Sequence, residues 1–481
     1  MKKIILYSLL IVSVISSCNS LDENPKAFIA SDNFYKTSED ADAAVIAIYA
    51  AINSSGQTLY NRLIQIATEM ATDDYEAGPR ARNAHVRAIS NLTHDASNDR
   101  MVELWKQSYA GINRANIAID NISSNPNLNT QKDKDLINEA KFLRALLYFN
   151  LVRWFGDVPL VLHETTTLSS SVLSVANSPE VDVYKQIEND LIDAEALPAV
   201  HSIKGRATAG AAKSILSKVY LTEKKWDKAA GKSKEVIDSK VYDLFSDYAD
   251  VFNVAAKNGK EHIFSAQFKG LTNWIGNSLA SASAPTSVPG ITGDQADALH
   301  KEGGLFEAFA ENDKRKYITF AIAFVSPTDG KTYKTAPHLN KYFDPAVPAS
   351  PSQSSKNIPI IRFAEVLLIY AEAVNEQSGA TTAAYESIDR VRARAGIPLL
   401  SVTSPALNKD DFREAVFEER RKELVFEYQR WFDLARRGSD YYVKKLKAAG
   451  KTNALPKHIH FPIPQRELDL NPNLKQVPDW K

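Results

Sequence analysis

The chain of 481 residues contains a single cysteine. That count excludes a disulfide framework and any multi-thiolate metal site. Charge of either sign is not in excess, since 58 Lys and Arg stand against 58 Asp and Glu. A balanced chain lacks the concentrated basic face that nucleic acid requires, so no nucleic-acid partner is expected. With 19 glycines and 21 prolines it is neither collagenous nor of low complexity. After the first twenty residues no apolar run approaches the ~20 residues a membrane-spanning helix needs. The Gly-rich phosphate loop, the dinucleotide GxGxxG, the GxSxG elbow and HExxH are all missing. The nine histidines are scattered, and only His458 and His460 are close. No catalytic residue, metal or cofactor is expected. What remains is ordinary globular composition, 44% apolar and 24% charged.

The amino terminus is distinctive. Lys2 and Lys3 precede an apolar run, Ile4 to Ile15, interrupted only by Tyr7, Ser8 and Ser13. About a dozen residues are too few to span a bilayer and suit the core of an export signal. The only thiol, Cys18, falls after Ser16 and Ser17, where such a signal is cut. The pattern resembles a bacterial lipoprotein signal, with Ile15 where Leu is usual, and it implies lipidation of Cys18. Residues 1–17 are read as signal peptide and 18–30 as a polar tether.

Helical periodicity dominates the rest. Thr37-x-x-Asp40 opens a helix over 37–52 with a capping-box pattern. Further helices are expected over 60–71, 104–119, 139–155 and 183–197. The 139–155 segment is apolar on nearly every side, so it is expected to be buried. Residues 207–239 read as helix, turn and helix, with small alanines facing Trp226 and Ala229, in the manner of a tetratricopeptide pair. Residues 361–376 and 382–395 read as a second pair. A long helix is expected over 411–436. Its Glu418 and Lys422, four apart, read as a solvated self-paired face, with no catalytic role for Glu418, Glu419 or Glu423. Residues 72–100, 269–301 and 319–359 are turn-rich and loop-like. Loops of such length are usually functional or mobile.

Ordered along the chain are LWKQSYAGINRANIAID, EAKFLRALLYFNLVRWFGDVPLV, IPIIRFAEVLLIYAEAVNE, YESIDRVRARAGIP, REAVFEERRKELVFEYQRWFDLARRG and IHFPIPQRELDLNPNL. With the Cys18 signal, this series resembles the SusD/RagB family of outer-membrane nutrient-binding lipoproteins of Bacteroidetes. The resemblance implies an all-α fold: a right-handed superhelix of divergent tetratricopeptide-like helix pairs with an irregular, loop-rich ligand-binding region. Residues 31–260 would form the N-terminal helical region. Residues 261–481 would form the C-terminal region, with the ligand face over 261–358 and closing helices after it. The resemblance also implies a non-catalytic, lipid-anchored protein on the cell surface. It would pass an oligosaccharide to a SusC-like TonB-dependent outer-membrane channel. A peptide ligand, or a tetratricopeptide adaptor without a small ligand, is the alternative.

A pyranose presents an apolar CH face that stacks on aromatic rings, and hydroxyls that need polar partners. The loops offer Trp274 with Asn273 in a Gly-flanked turn, Tyr75 after Asp73 and Asp74, Arg80 and Arg82, Asn98 before a helix, and Tyr333 after Gly330. Asp73 and Asp74 are expected to brace a helix end. Residues 76–99 contain no Trp, Tyr or Phe, unlike the aromatic platform of starch-binding relatives.

Overall fold

Thr37 and Asp40 form the expected capping box, each side chain accepting from the other's backbone N–H, and start helix α1 (Ser38–Tyr49). The computed structural model describes residues 34–53, 58–78, 81–167, 169–270, 275–279, 284–291, 299–300, 304–347 and 353–481. Cys18 and the signal segment lie outside these residues. After a π-turn and the short α2 (Ile64–Thr68) come α3 (Ala84–Ser90), α4 (Asp99–Ser124) and α5 (Gln131–Phe155). Both α4 and α5 extend beyond their apolar stripes. Asn98 caps the first, and a second capping box, Thr130 with Asp133, starts the second. Gly156, at φ 68°, ends α5 in a conformation that side-chain-bearing residues avoid. Helix α5 is the buried centre, with Phe142, Tyr148, Phe149, Trp154 and Phe155 all enclosed.

Next follow α6 (Glu180–Ala194), α7 (Ala209–Thr222) and α8 (Trp226–Asp238). After a long interruption come α9 (Phe363–Ser378), α10 (Thr382–Ala395), α11 (Lys409–Glu423), α12 (Arg430–Arg436) and α13 (Ser439–Ala448). Each helix from α4 to α10 packs on the next, and α8 packs directly on α9. The stack therefore continues across the loop-rich interruption. The α7–α8 and α9–α10 pairs match the two tetratricopeptide-like pairs read from sequence. Strands are minor. Among the described residues they form two-stranded antiparallel ribbons: β1 (Tyr75–Glu76) with β3 (Leu299–His300), β2 (His262–Ala266) with β6 (Ile358–Arg362), and β4 (Phe320–Val325) with β5 (Thr332–Leu339). The fold is predominantly helical, with no closed sheet among these residues. Among the described residues no helix is long and apolar enough to cross a membrane.

The expected helix over 411–436 is interrupted. It stops at Glu423 and resumes at Arg430, and Phe426 and Tyr428 take left-handed backbone angles of φ 56° and 64°. Such angles cost a non-glycine residue roughly 1–2 kcal/mol. Tertiary contacts offset that. Both rings are buried, Phe426 lies edge-on to Tyr75, and the Tyr428 N–H donates to Glu69 at 2.9 Å.

The acidic face of α11 is also not the solvated surface its spacing suggests. Glu419 and Glu423 are enclosed. Arg362, wholly buried, donates to Glu261 (2.7 Å), Glu423 (2.5 Å) and Glu427 (2.7 Å). Arg315 donates to Asp313, Glu419 (2.6 Å) and Glu423 (2.9 Å). Arg394 bonds Glu261 and Glu423, Lys341 bonds Glu427, and Arg392 reaches Glu419 from the edge. Five cations thus meet five carboxylates. Three cations close around Glu423 and hold its carboxyl far below the usual range, despite burial that acts the other way. Glu418 does lie at the surface, but beside Arg421 and Lys445 rather than paired with Lys422.

The chain's end closes over the start. Gln465 N–H donates to the Ala96 carbonyl, and Lys451 Nζ donates to the Met70 and Ser90 carbonyls. His94 is enclosed by His458, Phe461 and Trp480, with ring centroids 5.2–5.4 Å away. Burial drives the pKa of His94 down to about 3. Burial and Lys457 lower that of His458 to about 4.

Removing one carboxylate strands three buried cations. Glu423→Gln is expected to cost about 3–5 kcal/mol in urea unfolding, whereas Glu418→Gln should stay within about 0.5 kcal/mol. The two histidines give a separate expectation. Their folded pKa values lie below the unfolded value of about 6.5, so only the unfolded chain takes up their protons as pH falls between those limits. Thermal stability should decline from pH 6.5 towards 4, and His94→Phe should flatten that limb in melts at successive pH values.

Candidate functional site

The loop-rich face is assembled by ion pairs before it is shaped by rings. Asp73 forms two bonds with Arg430 (2.9 and 2.6 Å), and Asp74 pairs with Arg421. Both acids are buried and brace α11 and α12, as expected of them. Arg430 and Arg421 hold the Asp73 carboxyl down to about 2 even though burial opposes this. The clamp fixes β1, which pairs Tyr75 with His300 and Glu76 with Leu299. Strand β3 in turn lies beside β5, so the 70–100 segment and the β4–β5 hairpin share one face.

The sequence candidates fall at different depths on this face. The Tyr75 ring is 1% exposed and packs on Phe426 at 4.9 Å, so in this arrangement it serves the interior. Asn98 is likewise enclosed. Its side chain accepts from the Arg100 N–H and donates to the His85 carbonyl, capping α4. Arg82 is exposed on the loop before α3. Tyr333 sits on β5 rather than in a loop, half-buried, and its hydroxyl donates to Asp329 at 2.8 Å. It packs with Val288, Ile291 and Phe324 in a small separate core.

Arg80, Asn273 and Trp274 lie outside the described residues. The chain flanking 271–274 is nevertheless fixed. Lys269 N–H donates to the Ile275 carbonyl, Gly270 N–H to Ser355 Oγ, and Gly276 N–H to Gln353 Oε1. A Cβ on Gly270 would lie 1.8 Å from the Gln353 carbonyl oxygen, so the close approach itself requires glycine there.

Sequence reasoning missed a further cleft, formed where the C-terminal segment meets residues 92–97. It measures about 840 Å³, with Asn453, Lys457, Gln465 and Trp480 among its walls. Trp480 is half-buried. Its indole N–H donates to the His460 carbonyl at 3.0 Å, and Lys457 Nζ sits 4.0 Å from a ring centroid. Asp95, Asn453 and Gln465 also line the cleft. An aromatic wall with a polar rim suits a hydroxylated, partly apolar ligand. The only sequence signal was an aromatic residue in an otherwise polar tail, NPNLKQVPDW. Among the described residues no group of three or more His, Cys, Asp or Glu side chains is placed to hold a metal ion.

Comparison with known proteins agrees with this architecture. Residues 29–221 match the family described as "Starch-binding associating with outer membrane", and residues 324–480 match the "SusD family". A SusD-like protein of Formosa agariphila, P2, is 28% identical over 98% of this chain and 99% of its own length. The crystal structure of a SusD superfamily protein from Parabacteroides distasonis superposes with a TM-score of 0.80 at 25% identity, over 92% of this chain and 98% of that one. A laminarin-binding SusD-like protein superposes with a TM-score of 0.77 at 27% identity, over 92% of this chain and all of the other. Two family patterns at opposite ends of the chain, joined by one continuous helical stack, show that this protein belongs to the SusD/RagB family.

Proposed function

We propose that the protein is a cell-surface lipoprotein that captures oligosaccharides and hands them to a SusC-like TonB-dependent channel in the outer membrane. It binds without making or breaking bonds. The observation that carries the ligand class is the likeness, over nearly the full length of both chains, to a laminarin-binding protein. The loop face adds physical support. The Trp480 cleft has the volume of a short oligosaccharide site and joins a ring to hydrogen-bonding side chains. Trp274 and Asn273 remain the favoured contacts from the loop-rich interruption, and the described chain on either side of them is pinned to Gln353 and Ser355. Arg82, which is exposed, and Tyr333, which is half-buried, are the candidates for supporting contacts. Tyr75 and Asn98 contribute by holding β1 and α4 in place.

Lipidation of Cys18 would keep this face outside the cell. Each acyl methylene contributes about 0.8 kcal/mol to membrane partition, so two or more chains anchor a protein of this size.

Isothermal titration with laminari-oligosaccharides, other neutral glycans and peptides tests the reading. Micromolar or tighter binding of a glycan series is expected, and a response to peptides alone would overturn it. Trp274→Ala and Trp480→Ala should each weaken the bound glycan by about 1–2 kcal/mol if the rings stack. An unchanged Kd for either removes that ring from the site. Labelled palmitate should enter the wild-type protein in its host and be lost from Cys18→Ser, which should also leave the membrane fraction.

A further inference from the structure

Among the described residues Arg153 is a largely enclosed cation for which no carboxylate partner is found. Arg153, near the end of α5, lies between the rings of Phe149 and Phe432, with its Cζ 3.7 and 3.6 Å from their centroids. Its Nε donates to the Phe149 carbonyl at 2.9 Å and its Nη2 to Asn150 Oδ1 at 2.7 Å. Among the described residues Nη1 has no acceptor and no acid pairs with the guanidinium. The neighbouring charges are already matched. Lys218 pairs with Glu365, Arg420 with Glu365 and Asp433, and Arg436 with Asp433 and Glu372. Three cations share three carboxylates there, and Arg153 is the surplus. Burial lowers its pKa only to about 10, so it is charged at neutral pH.

Two spaces adjoin this guanidinium. The inner one, about 10 Å³, has room for a single water. The outer one is a groove of about 460 Å³ between α5, α6 and α12, with Val152, Val181, Tyr184, Phe432 and Ile459 as apolar walls. Two acids also line it. Glu223 is bonded to Lys225 at 2.8 Å. Glu180 stands 3.8 Å from His460, with its own pKa raised by burial and by Asp157. Neither approaches Arg153 as an ion pair, so its outward edge is left for a ligand. A planar guanidinium held flat between two rings presents a fixed fork, the geometry that selects carboxylates.

We propose that this groove binds a carboxylate, which pairs with Arg153 as its missing counter-ion while the rest of the ligand lies along Val152, Val181 and Ile459. The carboxylate could belong to a small organic acid or to an acidic sugar unit. The site stands on its own geometry, apart from the Trp480 cleft.

Calorimetric titration at constant ionic strength, using the purified lipid-free chain, separates the sources with four probes: propionate, propionamide, glucuronate and glucose. Binding of propionate and not propionamide identifies a small-acid site. Binding of glucuronate alone, with glucose silent, identifies an acidic sugar. Arg153→Met, which keeps the contacts with both rings, should abolish either response and leave laminari-oligosaccharide binding unchanged. If that variant does not fold, Arg153→Lys keeps the charge without the fork and should weaken binding about tenfold. Crystals soaked in 3-bromopropionate should show anomalous bromine in the groove. Equal responses to charged and neutral probes, no response to either acid, or bromine elsewhere overturns the proposal. Loss of glycan binding in the wild type would count against the glycan reading and leave this site standing.

Discussion

Glu423 and Arg362 meet where no water screens them, and most of the molecule is arranged to keep that meeting balanced. Burying a single charge costs several kcal/mol, and the cost is offset only when every partner is in place. Here the partners come from separate parts of the chain. Glu261, Asp313, Arg315, Lys341 and Arg362 belong to the loop-rich interruption, Arg394 and Arg392 to α10, and Glu419, Glu423 and Glu427 to α11 and the turn after it. An apolar contact would hold these elements together as strongly and tolerate sliding. Matched charges at 2.5–3.0 Å tolerate very little, so the network sets position as well as adhesion.

That division of labour runs through the fold. The helices from α4 to α10 bury aliphatic and aromatic surface and form a frame. The loops add buried apolar side chains to that core, Phe252, Phe264, Phe320 and Tyr342 among them, and are further fastened by polar contacts. Asp73 and Asp74 fasten the 70–100 segment to Arg430 and Arg421, and Lys451 ties it to the C-terminal region. The face so formed has hydrogen-bonding groups at its margin and aromatic rings at defined depths, which is what recognition of a hydroxylated ligand requires.

The frame was legible in the sequence because its signals are local. The capping box at Thr37, the buried periodicity of α5 and the two helix pairs depend on residues three and four apart. The family series identified the architecture for the same reason. The polar interior was not legible. Glu418 and Lys422 on a helix look identical whether the face meets water or a buried arginine, and Glu419 and Glu423 are distinguished only by what arrives from residues 261–362. The break at Phe426 and Tyr428 has no glycine or proline to announce it; it exists because both rings are wanted inside. Tyr75 was misplaced by the same blindness, since its neighbour Phe426 is some 350 positions distant. Trp480 went unnoticed because its site is composed by chain closure.

The β2–β6 ribbon sets Ala266 opposite Ile358, so about ninety residues of intervening chain leave the helical frame and return to it at one spot. Helices α8 and α9 touch regardless of what lies between them. Loop-closure entropy rises only with the logarithm of length, so the parts of the excursion away from Asp313, Arg315 and Lys341, which the buried charge network requires, can grow or shrink at little thermodynamic cost. The architecture is thus a socket with a partly exchangeable fitting. Relatives keep this backbone geometry at under 30% identity, so what is held in common is the place where the excursion leaves and rejoins the stack rather than the residues that fill it.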